Sequence, residues 1–207
     1  MQILEFANGK RLWFFQCLYG GLSRDLLEAL VAYGVDNISY IGTAGATTSK
    51  FDIHQTVTPA FLINPDGTRE DLNWLTPVTN ISVRGNSARV STPNIETKRW
   101  AKNAIKKGID LVDVELGYFL QYPRLKNPRI KFRAVLAVSD VLTGENRKDM
   151  TEWDWRDSDK LMPEILKILY DTLGISDSEP LPVRAYRHVP IMTPSSQTDS
   201  HSVVSPL

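Results

Sequence analysis

Three short segments of this 207-residue chain carry the side chains that could do chemistry together. Ile41-Gly42-Thr43-Ala44-Gly45-Ala46 is a run of small residues, Val112-Asp113-Val114-Glu115 ends on a glutamate, and Ala137-Val138-Ser139-Asp140 ends on an aspartate. Each follows an apolar run that reads as a β-strand, and open α/β sheets present ligand chemistry beyond the carboxyl ends of their strands. A small-residue loop offers backbone N–H groups, with Thr43, to an anion or a water. An ionised Glu115 can grip sugar hydroxyls, and Asp140 with a raised pKa can supply a proton. Together they suit the breaking of an N-glycosidic bond.

Each also has a plain structural reading. An aspartate after a serine can be a helix N-cap. Glu115 can be a first-turn residue favoured by the helix dipole. The stretch 42–46 can be a tight strand-to-helix turn that needs glycine dihedrals.

The elements that must position these residues follow from the hydrophobic pattern. Residues 11–17 read as a strand, and Ser23 as the N-cap of a helix whose face is Leu26, Leu27, Leu30 and Val31, stopping at Gly34. Residues 37–41 form the next strand, which hands over to the loop of small residues. Residues 51–62 have strand character around Val57 despite Pro59, and Asn64-Pro65-Asp66-Gly67 is a turn. The polar stretch 68–88 reads as a loop or flap, and 89–91 as a short strand. Trp100, Ala101, Ala104 and Ile105 give 93–107 a helical face that ends at Gly108. Strands follow at 111–114 and 130–138, then an amphipathic helix at 157–173, and residues 193–207 read as a disordered tail.

Lys plus Arg and Asp plus Glu number 24 each, so no overall charge draws the chain to nucleic acid or an acidic membrane. Cys17 is the only cysteine, which excludes an internal disulfide and any multi-cysteine metal site. No apolar run is long enough to span a bilayer, and the start lacks a signal-peptide pattern. These features read as a cytoplasmic protein of one domain, 1–175, with an extension at 176–207.

The motifs resemble the purine nucleoside phosphorylase and nucleosidase superfamily, over about residues 9–173. Tyr19-Gly20-Gly21-Leu22-Ser23 is similar to the family's glycine-rich turn, and Gly42-Thr43-Ala44-Gly45-Ala46 to its loop facing the ribose and the phosphate or water. Asp113-Val114-Glu115 resembles the element whose glutamate contacts ribose hydroxyls, with Val114 where methionine is usual. Val138-Ser139-Asp140 resembles the element whose aspartate protonates the leaving purine. Two departures stand out. The sequence starts past the family's opening strand and loop, and Ser39-Tyr40-Ile41 stands where phosphorylases tend to carry an arginine.

The resemblance implies an α/β fold, a three-layer α/β/α sandwich on a mixed central sheet, shortened at its N-terminus. It implies Asp140 as the general acid, and Glu115, Val114, Gly42, Thr43, Ala44 and Ser139 as the substrate-binding set. Hydrolysis is favoured over phosphorolysis, on a small nucleoside-like substrate, with no metal or organic cofactor and with a homo-oligomer as the working form. A catalytically retired nucleoside-binding or scaffold protein stays open, as does an enzyme of this fold with altered chemistry on a related metabolite. Phe51, Ile95 and Tyr118 are candidates for a base pocket, and Arg147 for an anionic substituent. Trp153 and Trp155 read as packing residues. His54, His188 and His201 are too scattered for a metal site, and Lys102, Lys106 and Lys107 read as a solvated helix face.

Overall fold

The structure is a computed structural model that describes residues 2–5, 11–15, 20–79, 81–92, 96–122, 126–143 and 184–187. The chain divides into two compact units, Met1–Cys17 with Leu173–Leu207, and Leu18–Thr172. In the first, β1 (Gln2–Glu5) pairs antiparallel with β2 (Arg11–Phe14) on one edge and β9 (Arg184–Arg187) on the other. Both ends of the chain therefore build this sheet. The expected helix at 157–173, and Cys17, Ile95, Arg147, Trp153, Trp155, His188 and His201, lie outside the described residues.

The larger unit is a mixed six-stranded sheet with helices. Its elements are α1 (Leu22–Ala32), β3 (Asn37–Ala46), β4 (Thr56–Ile63), β5 (Arg69–Asp71), β6 (Arg84–Arg89), α2 (Lys98–Lys106), β7 (Leu111–Asp113), α3 (Leu116–Leu120) and β8 (Lys131–Val141). The strand order is β5-β4-β6-β7-β3-β8. The pairs β3–β8, β4–β6 and β6–β7 are parallel, and β3–β7 and β4–β5 antiparallel. Thr56 and Val57 also pair antiparallel with Ala137 and Leu136, so β4 meets β8 and the sheet closes on itself. Leu27, Tyr40, Phe51, Val57, Leu111, Phe119, Phe132 and Leu136 belong to the main core. Full burial of each such side chain stabilises the fold by roughly 1.5–3 kcal/mol.

Glycine stops both longer helices as the sequence indicates. Gly34 (φ 84°) follows α1, with Val35 N–H bonded to Leu30 O, and Gly108 (φ 73°) follows α2, with Ile109 N–H bonded to Ala104 O. The helix starts differ. α1 begins at Leu22, and Ser23 donates back to Gly20 O rather than capping. α2 begins after Thr97, whose Oγ1 accepts from Trp100 N–H at 3.2 Å.

The strands are longer and more numerous than the pattern indicates. Of the expected strand at 89–91 only Arg89 is in a strand, and the expected loop at 68–88 contains β5 and all of β6 but Arg89. Its apolar alternation is hidden because small residues take the buried places: Ser87 is buried, and Gly85 sits under Leu111, Phe51 and Val57. Pro59 is accommodated beside a register shift in the β4–β6 ladder. Phe51 is buried in the main core and so forms no open base pocket. No helix among the described residues is long and apolar enough to cross a membrane.

Candidate active site

The small-residue stretch is the second half of β3 rather than a loop. Gly42, Thr43 and Ala44 stand in register with Leu136, Ala137 and Val138, and this ladder occupies backbone that a loop would offer to an anion. Gly42 has a different role. A Cβ there would lie 2.5 Å from Tyr40 Oη and 2.8 Å from its ring, so glycine makes room for the tyrosine. Thr43 is exposed on the strand.

β8 runs through Ser139 and Asp140 to Val141, which removes the N-cap reading of Asp140. The ladder pairs Ala44 with Val138 and Gly45 with Asp140, so Ser139 is an extra residue in β8. Such a bulge re-aims the side chains beside it. Gly45 is also paired with Val112 across the antiparallel β3–β7 ladder. It therefore links all three segments singled out in the sequence. A Cβ on Gly45 would lie 3.2 Å from Val112 Cγ1 and 3.3 and 3.4 Å from the two Asp140 oxygens. The Asp140 carboxyl thus lies over a backbone with no side chain of its own.

Ser139 and Asp140 are both buried. Ser139 Oγ is within donating distance of Asp140 Oδ1, 2.6 Å, and of Ala44 O, 3.2 Å. Asp113 is buried inside the sheet, where Oδ2 accepts from Tyr40 Oη–H at 3.0 Å and Oδ1 from Leu116 N–H. Asp113, not Glu115, therefore supplies the side-chain cap of α3. Burial pushes the Asp113 carboxyl up to about 7, against the opposing pull of the Leu116 N–H and with the charge of Glu115 adding to the rise. Glu115 is half-buried at the start of α3, and its Oε1 accepts from Gly20 N–H at 3.4 Å. Val114 is buried with Val90 and Val112, against Trp100 and Leu142.

Glu96 completes this acidic group. Burial, then repulsion from Asp140 and Asp113, raises its carboxyl to about 7. Four carboxylates therefore influence one another: Glu96 with Asp140 and Asp113, and Asp113 with Glu115. Only Glu115 and Asp140 of the four stand out in the sequence as groups for chemistry. Asp113 was visible as a lone acid inside an apolar strand. Nothing local marks Glu96, which precedes a helix cap as a surface residue would.

The structure brings Ala44, Ser139 and Asp140 into contact, and sets Val114 in the cluster of Val112, which touches Gly45. Glu115 is tied to them through Asp113, Gly42 meets Asp113 only through Tyr40, and Thr43 is exposed. A cleft of about 600 Å³ opens nearby on other residues, with Arg89, Val90, Trp100 and Tyr118 in its wall and neither Asp140 nor any residue of the expected substrate-binding set. Of the proposed base-pocket residues, Tyr118 lines that cleft.

No protein-family model matches the sequence, and no curated protein does. Among solved structures, the chain is similar to MTAN from Chlamydia trachomatis, at 18% identity and a TM-score of 0.50, over 73% of this chain and 72% of that one. It is similar also to a single mutant of adenosine/methylthioadenosine phosphorylase from Schistosoma mansoni in complex with adenine, at 13% identity and a TM-score of 0.55. That match covers 73% of this chain and 70% of the other. A double mutant of the same phosphorylase, also with adenine, gives 13% identity and a TM-score of 0.53 over the same shares. With its mixed sheet, its helices and these neighbours, the chain has the nucleoside phosphorylase-like fold.

Proposed function

We propose that this protein cleaves the N-glycosidic bond of a nucleoside or nucleoside-like metabolite, by hydrolysis rather than phosphorolysis. The observation that carries the reading is the placement of the Asp140 carboxyl over Gly45 with the Ser139 hydroxyl at 2.6 Å. The neighbouring structures support the substrate class, since they are a nucleosidase and a phosphorylase seen with adenine.

Cleavage passes through an oxocarbenium-like sugar. The carbon–nitrogen bond breaks with its electron pair going to the base. Asp140 gives its proton to that nitrogen as charge develops. Glu115 accepts hydrogen bonds from the sugar hydroxyls and stabilises the positive charge beside them. Water adds at the anomeric carbon and releases the proton that balances the step. Tyr40 in place of a cation in β3 favours water over phosphate as the nucleophile. On the same reading the working species is a cytoplasmic homo-oligomer.

The test is release of free base from a panel of purine and pyrimidine nucleosides and their thio-derivatives, with and without phosphate. Release in phosphate-free buffer is the expected result. Release that requires phosphate would replace hydrolysis with phosphorolysis. No release from any substrate would overturn the reading in favour of a binding protein.

A further inference from the structure

The 600 Å³ cleft in the larger unit lies where the parallel strands β4 and β6 end, between them and α2. Its size falls within the roughly 300–1,000 Å³ of small-molecule pockets. Its wall carries three cationic residues, Arg89, Lys106 and Lys107, and no carboxylate. Lys106 and Lys107 are exposed at the end of α2, where the helix dipole alone would favour them. Arg89 is different, because its place is built.

The Arg89 stem passes over Gly117, where any Cβ would collide with its Cβ and Cγ. Its guanidinium donates to Gln121 Oε1 and lies 5.2 Å from the centre of the Tyr118 ring. One of its five N–H groups is used by Gln121, beside the Tyr118 ring at the cleft. Trp100 and Tyr118 supply half-buried aromatic surface.

We propose that this cleft is a binding site for a nucleoside monophosphate, separate from the carboxylate site. Arg89, with the two lysines, holds the phosphate. Trp100 and Tyr118 supply the aromatic surface for the base. The site is independent of the glycosidic-cleavage reading, and it stands or falls without it.

Calorimetric titration of the full chain with adenosine 5′-monophosphate, adenosine and inorganic phosphate tests it at low ionic strength. The monophosphate is expected to bind about tenfold or more tightly than either fragment. Arg89→Gln should weaken it about tenfold, and Lys106→Gln with Lys107→Gln about threefold, whereas Asp140→Asn should leave it unchanged. The paired lysine variant is at the surface, so it reads the site even if Arg89→Gln unfolds. Absence of monophosphate binding, or binding that neither basic variant weakens, would overturn the proposal. So would binding abolished by Asp140→Asn, which would move the ligand to the carboxylates.

Discussion

Ser139 Oγ stands 2.6 Å from Asp140 Oδ1 and 3.2 Å from the carbonyl oxygen of Ala44. A hydroxyl has one proton, so it can donate to only one of them at a time. The Ser139 Oγ–H donates either to the Asp140 carboxyl or to Ala44 O, so the hydroxyl couples the carboxyl to the β3 backbone. The bulge at Ser139 thus sets a hydroxyl against the carboxyl of the proposed acid and fixes its position. Removing the hydroxyl in Ser139→Ala is expected to lower the rate of base release by about three- to tenfold, the equivalent of one hydrogen bond. Steady-state kinetics over pH 5–8 checks it. An unchanged profile would separate the serine from the acid.

Gly45→Ala puts a methyl group 3.3 Å from the Asp140 carboxyl. Close-packed neighbours give by tenths of an ångström, and displacement of a reacting group is felt strongly in rate. The expected outcome is about a tenfold loss of kcat with a small change in melting temperature. A large loss of stability at unchanged kcat would make Gly45 a packing residue only.

Gly42→Ala should behave the opposite way. The new Cβ drives the Tyr40 ring aside and breaks its hydrogen bond to Asp113. Overpacking and the lost bond together cost about 1–3 kcal/mol. Urea unfolding measures it, and a ligand role for Gly42 would instead show as a KM change in a protein of wild-type stability.

Glu96 and Asp113 give stability a pH dependence. Both hold their protons more tightly in the folded chain than at their ordinary values of 4.5 and 3.8, since each is raised to about 7. Their contribution is therefore fully present below about pH 4 and is lost as pH rises toward 7. Denaturation midpoints should fall across that window through these two groups, and Glu96→Gln should flatten the fall. A slope unchanged by Glu96→Gln would contradict the shared acidic site.

The sequence shows some of this arrangement and hides the rest for physical reasons. Gly34 and Gly108 mark helix ends because only a local φ is at stake, and β8 is legible because ten successive residues, 132–141, are buried. β6 is not, since Gly85 and Ser87 fill buried places that apolar residues would advertise. Closure of the sheet through Thr56 and Ala137 joins residues far apart in the chain, which no local period reports. Asp140 and Glu115 are visible as types at strand ends. The electrostatic neighbour Glu96 is not, because it enters only through tertiary placement.

The central claim is that Asp140 is the acid of a glycosidic cleavage. The most direct measurement is the kcat for base release in phosphate-free buffer by the native protein and by Asp140→Asn, with melting temperatures measured in parallel. The asparagine keeps the shape and cannot give up a proton. A loss of about 10²–10⁴-fold at near-native stability is the predicted result. A variant that cleaves at the native rate would contradict the account.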